Sequence, residues 1–231
     1  MFFFYFSFNN PYIAIIGDII QSKILKDRDE VQKKLHNILC SINTKYSDHI
    51  ASNFMITLGD EFQGLLKCGE NTINIINEIE TKMYPVQIRF GIGVGEITTD
   101  INRDVPLGAD GPAYYNSRRM IDDLKGVEKR TKTGNPNIMI ASQDDNSNTD
   151  LLLNTIFLLC STIKRKWSDR QREIVIAYIE SDNNQTKTAE KLGIQQSSVN
   201  KGLSNAGYYS YKSAIDTASK AISEIKVNED V

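Results

Sequence analysis

The chain has 231 residues and a formal net charge of −2, long enough to bury a core as one large domain or two small ones. Its charge excludes a strongly basic nucleic-acid coat and an acidic tail, so any nucleic-acid contact must come from a local patch. Cys40, Cys68 and Cys160 lie far apart without metal-ligand spacing, and their odd number argues against a disulfide framework, so a cytoplasmic protein is expected.

The aromatic start Met1-Phe2-Phe3-Phe4-Tyr5-Phe6-Ser7-Phe8 is too short to span a bilayer and lacks a basic region and a cleavage site, so no membrane partner is expected. An edge strand, a hook for a partner and a misjudged translation start all stay open for it. Tyr12 to Gly17 reads as a buried strand closed by Gly17-Asp18. Helical spacing follows from Asp27 to about Tyr46, through Val31, Leu35, Ile38, Leu39 and Ile42. Two strands then flank the turn Gly59-Asp60, a hairpin signal. Thr72 to Met83 is a helix with Ile73, Ile76 and Ile79 on one face, ended before Pro85, and Val86 to Ile97 is a long strand.

Strand, helix, strand, strand, helix, strand is the ferredoxin-like βαββαβ order of an α+β domain. Right-handed crossovers would set the first and third strands side by side and bring Asp18 and Asp60 to one end of the sheet. Carboxylates buried there need hydrogen bonds or a cation, so with Glu61 they are candidates for a Mg²⁺ or Mn²⁺ site. Glu61 reads equally well as a solvated strand-edge residue. Backbone N–H groups after Asp18, with Ser22 and Lys23, could receive a nucleotide phosphate; the alternative is that Asp18 and Ser22 only cap the turn.

The strand Arg89-Phe90-Gly91-Ile92-Gly93-Val94-Gly95-Glu96 carries glycine at every second position, so something lies flat on one face. A packed helix is the expected occupant, a ligand or a dimer partner the alternative. Pro112 to about Leu124 reads as a helix bearing Arg118 and Arg119, both candidates for phosphate contact, and Asn137 to Ser142 as a short strand.

Ser142-Gln143-Asp144-Asp145-Asn146-Ser147-Asn148 has linker composition, which divides the chain into a first domain over 11–143 and an all-helical one over 149–231. Ser168 is placed to cap a helix. Gln185 to Leu203 has a small Ala189 where two helices would cross, Gly193 for a tight turn, and Leu192, Ile194, Val199 and Leu203 as shared core. That is the pattern of a helix-turn-helix, although Gly202 stands where an apolar residue is usual. Gln196, Ser197, Asn200 and Lys201 would read bases in duplex DNA, while Ser198, Lys187 and Lys191 would contact phosphates. Lys164-Arg165-Lys166, Arg170 and Arg172 would add local charge. A helical hairpin packed on the first domain is the other reading. Tyr208, Tyr209 and Tyr211 open a final helix as packing or dimer contacts.

The series Ile16-Gly17-Asp18-Ile19, Leu58-Gly59-Asp60-Glu61-Phe62, Arg89 to Glu96 and Asp110-Gly111-Pro112-Ala113-Tyr114-Tyr115, followed by a helix-turn-helix, resembles the SatD family over nearly the whole chain after Tyr12. More distantly, the first domain resembles class III nucleotide cyclases and GGDEF diguanylate cyclases. That resemblance implies metal-binding and catalytic roles for Asp18 and Asp60, and a catalytic arginine at Arg119. It departs at Tyr115, where the cyclases carry asparagine.

The expected function is a DNA-binding regulator whose cyclase-like domain binds a nucleotide and couples it to the helix-turn-helix. An active nucleotidyl cyclase or nucleotidyltransferase using two Mg²⁺ ions, and a ligand-free dimerisation scaffold, are the alternatives. A homodimer is expected under all three.

Overall fold

Short apolar strands build a sheet that amphipathic helices cover on both faces. The computed structural model describes residues 11–25, 27–130, 135–142 and 147–225, the side chains of 128–130 and 147 excepted. The aromatic start and positions 143–146 of the expected linker lie outside the described residues. In chain order the elements are β1 (Tyr12–Ile19), α1 (Arg28–Lys45), β2 (Ile50–Leu58), β3 (Glu61–Leu66), α2 (Thr72–Met83), β4 (Ile88–Gly95), α3 (Pro112–Arg130) and β5 (Ile138–Ala141). A helical series follows: α4 (Ser147–Arg165), α5 (Asp169–Glu180), α6 (Gln185–Leu192), α7 (Gln196–Asn205) and α8 (Tyr208–Ser223).

The sheet order is β2-β3-β1-β4-β5. β1 is antiparallel to both β3 and β4, and β5 joins the edge parallel to β4. The first and third strands therefore lie side by side, as the βαββαβ order predicts. β1 is buried on both faces, which is why it reads as an unbroken apolar run. Ile13 and Ile15 point into a core with Leu35, Leu39, Ile76 and Ile79 of α1 and α2, while Ala14 and Ile16 face Ala113, Tyr114 and Ile121 of α3.

The glycine stripe of β4 lies against α3. A Cβ at Gly93 would fall 2.0 Å from the Ala113 carbonyl oxygen, and one at Gly91 2.3 Å from that of Ser117. Helix and strand backbones thus touch, and the occupant of the bare face is a helix of the same chain.

The helical series shares the core of α1 and α2. Phe157, Trp167, Ile174, Val199, Leu203, Tyr208 and Ile215 belong to the same buried cluster as Ile13 and Ile76, so the stretches 11–143 and 149–231 are joined by one hydrophobic core. The end of α8 is seated on Gly69, whose N–H donates to the Ile225 carbonyl at 2.9 Å. A Cβ at Gly69 would lie 1.6 Å from the Ile222 carbonyl oxygen, so glycine is required for this seat. Tyr208 and Tyr211 are buried and pack edge-on against Tyr178 and Trp167, one of the two roles expected for the three tyrosines, while Tyr209 is exposed. Among the described residues no helix is long and apolar enough to cross a membrane.

Candidate functional site

Strand register builds the first cluster. Asp18 stands opposite Glu61 on β3 and opposite Arg89 on β4, so Glu61, Asp18 and Arg89 form a row across one face of the sheet end. That face is the one covered by α3, where Arg118 and Lys125 lie seven residues apart and hence on the same side of the helix. The Arg89 Nη1 donates to Asp18 Oδ2 at 2.5 Å, and Lys125 Nζ lies 2.7 Å from Asp18 Oδ1. Arg118 grips both oxygens of Glu61, each at 2.5 Å, and this bond holds its guanidinium pKa above the ordinary value. Both acid side chains are only 7% exposed, so each buried carboxylate is matched by a charged donor.

Asp60 sits at the hairpin turn and accepts a hydrogen bond from Ser22. Gly59, at φ 26°, allows the turn, and its carbonyl accepts from the Gln32 side chain. The amides expected to be open for a phosphate are partly engaged: Ile19 N–H donates to the Asp60 carbonyl and Ile20 N–H to that of Gln87, both at 2.9 Å. Ser22 is buried within a single 3-10 turn, while Lys23 in the same turn is exposed. Arg119 faces elsewhere, its Nη2 donating to Asn116 Oδ1 at 3.2 Å. Tyr115, expected to fall at the asparagine position of the cyclases, donates to Asp110. The structure thus gathers Asp18, Glu61 and Arg118 with Arg89 and Lys125, sets Ser22 on Asp60, and turns Arg119 away.

These acids do not fit a divalent ion as they stand. Both oxygens of Asp18 and both of Glu61 are engaged by protein cations. Asp18, Asp60 and Glu61 also do not form a set with ligand oxygens within 4.8 Å of one another; among the described residues only His49, Cys68 and Glu70 do so.

Helices α6 and α7 form the second candidate surface. Asn184 caps α6, its side chain accepting from the N–H groups of Thr186 and Lys187, and Gly193 ends it at φ 63° in the left-handed region. After Ile194 and Gln195 the chain enters α7. Ala189 is buried, Val199 and Leu203 are fully so, and Leu192 and Ile194 pack partly buried against the core. A Cβ at position 202 would meet Ile174 Cδ1 at 2.6 Å, so the unexpected Gly202 marks a close crossing of α7 and α5.

Gln196, Ser197, Ser198, Asn200 and Lys201 are all exposed, as is Lys187. Gln196 donates to Gln185, which in turn reaches Asn200 at 3.4 Å, and Lys187 lies 3.8 Å from Asp182. Lys191 is paired with Glu180 at 2.6 Å. In the basic stretch expected to add free charge, Arg165, Lys166 and Arg170 are exposed, but several of the cations are engaged within the chain. Lys164 pairs with Glu80 of α2, Arg170 with Glu173, and Arg172 donates to the Lys164 carbonyl while lying over the rings of Tyr84 and Trp167.

Arg89 and Lys125 are site residues that sequence reasoning missed. Spacing held the signal for Lys125, seven positions after Arg118. Arg89 becomes a partner of Asp18 only through the β1–β4 register.

The SatD family model matches residues 12–222. No curated protein matches the chain. Among solved structures the chain is similar to the catalytic core of a rhodopsin-guanylyl cyclase with converted specificity in complex with ATPalphaS, at 13% identity over 49% of this chain and 72% of that one, TM-score 0.32. It is also similar to the guanylyl cyclase Cya2, at 14% identity over 57% and 74%, TM-score 0.36. A third is a regulator of polyketide synthase expression from Bifidobacterium adolescentis, at 12% identity over 93% and 85%, TM-score 0.29.

Proposed function

The chain belongs to the SatD family, and on that footing we propose that it is a DNA-binding regulator in which α6 and α7 act as a helix-turn-helix. One observation carries this reading: the first half of α7 exposes Gln196, Ser197, Ser198, Asn200 and Lys201 while Val199 and Leu203 on its other side are fully buried. A helix held from behind, with polar side chains at its N-terminal end, matches the demands of major-groove reading. Asn200 and Gln196 suit adenine edges and Lys201 guanine edges, while Ser198 and Lys187 are placed for phosphates. A homodimer reading two half-sites belongs to the same proposal.

The sheet end is proposed as the input, with a nucleotide as its ligand. Phosphates would compete with Asp18 and Glu61 for Arg89, Lys125 and Arg118, with Ser22 and Lys23 beside the acidic turn. Mg²⁺ or Mn²⁺ enters only as the nucleotide's own counter-ion, since the acids as arranged do not hold an ion.

Anisotropy titration of the full chain with duplex DNA over a salt series tests the first part. Binding should weaken as salt rises, and the Asn200→Ala/Lys201→Ala double variant should bind about tenfold or more weakly. Equal affinity of the two proteins would remove α7 as the reading element. For the input, nucleoside triphosphates should raise the melting temperature without releasing pyrophosphate. Release that disappears in Asp18→Ala would make the protein an enzyme instead.

A further inference from the structure

The open end of the β2–β3 hairpin, remote from the acidic turn, carries a second set of chemically active side chains. His49 precedes β2, and Cys68 and Glu70 follow β3. The ladder runs one step past the strands, with Lys67 N–H donating to the His49 carbonyl at 2.9 Å, so the two chain segments leave the sheet side by side. His49 Nδ1 then lies 3.7 Å from Glu70 Oε2. With Cys68 Sγ, the three ligand atoms all fall within 4.8 Å of one another. Cys68 is a free thiol, and it and His49 are half-buried while Glu70 is exposed.

We propose that His49, Cys68 and Glu70 form a transition-metal site for which Zn²⁺ is the fitting ion. A thiolate and an imidazole favour a borderline-soft ion over Mg²⁺ or Ca²⁺, which take oxygen ligands. Tetrahedral zinc, with bonds of about 2.0–2.3 Å, holds its ligand atoms roughly 3.5 Å apart, so this set closes by about 1 Å through side-chain rotation. Binding releases the Cys68 thiol proton to solvent and leaves a fourth position for water. Three protein ligands of three different kinds, gathered from the two ends of one hairpin, distinguish this set from an acidic cluster. The proposal is independent of the DNA and nucleotide readings.

The site also has a place in the architecture. Gly69, between two of the ligands, is the residue on which the end of α8 is seated. Zinc held by Cys68 and Glu70 fixes the loop that anchors the C-terminal helix to the sheet.

The test is titration of the full chain, first stripped with a chelator, with Co²⁺ and then Zn²⁺. One Co²⁺ per chain should bind and give a thiolate-to-cobalt charge-transfer band in the near ultraviolet, which Zn²⁺ abolishes. The band should vanish in Cys68→Ser and persist in Cys40→Ser. This second variant matters because Cys40 Sγ lies 3.5 Å from His36 Nε2 on α1 and offers a competing pair of ligands. His49→Ala should weaken binding by about 100-fold, and Glu70→Gln, a change in an exposed side chain that leaves the fold intact, by about tenfold. In the wild type Zn²⁺ should slow hydrogen exchange of the Gly69 amide. No band in the wild type, a band surviving Cys68→Ser, or a band lost in Cys40→Ser would overturn the site.

Discussion

The sheet end and the α7 face are both polar, but they dispose of their polar groups in opposite ways. At the sheet end Asp18 and Glu61 are buried and closed in by Arg89, Lys125 and Arg118. On α7 the side chains from Gln196 to Lys201 stand in solvent, tethered at most by the Gln185 contacts to Gln196 and Asn200, around a buried Val199. A group closed in by its own chain sustains the fold first and meets a ligand only by exchanging partners. A group left in solvent has little to do for the fold and is open to an outside partner.

Stability and binding should therefore separate between the two regions. The largest effect is expected for Asp18→Ala, which leaves Arg89 and Lys125 without their buried carboxylate and should cost about 3–5 kcal/mol in urea unfolding. Asn200→Ala with Lys201→Ala should shift the same midpoint by no more than about 0.5 kcal/mol, because both residues are exposed. A loss of stability in the double variant as large as in Asp18→Ala would erase the contrast.

Gly93→Ala sharpens it, since the added methyl meets the Ala113 carbonyl of the helix that carries Arg118 and Lys125. Overpacking there should cost about 1–3 kcal/mol and loosen the cluster without touching a charge. On the other side, Asn184→Ala removes the α6 cap and should cost about 1 kcal/mol by thermal unfolding. That loss is smaller than either expected at the sheet end, and DNA affinity should fall with it only as far as α6 positions Lys187.

Much of the scaffold was legible in the sequence because its signals are local. The bounds expected for α2 are those observed, set by the spacing of Ile73, Ile76 and Ile79 and by Pro85. The expected Ser168 cap is present as a capping box with Gln171. The stripe at Gly91, Gly93 and Gly95 announced a flat neighbour, and only packing could name it as α3. What escaped the sequence is what register and helix phase create. In the sequence Asp18 closes the first strand, yet β1 continues to Ile19 because Arg89, directly across on β4, answers the carboxylate inside the strand. Cys68 looked isolated because its companion His49 is a hairpin away and meets it only when β2 and β3 pair. Lys164 looked available because sequence cannot show Glu80 waiting on α2.

Chemical-shift mapping of the full chain with a short duplex tests the central claim most directly. The account predicts that backbone and side-chain amide shifts concentrate at Lys187 and from Gln196 to Lys201, with the Asn200 side-chain amide among the largest. Shifts confined to the sheet end around Asp18 and Glu61, or no shifts at a DNA concentration that saturates the anisotropy signal, would contradict it.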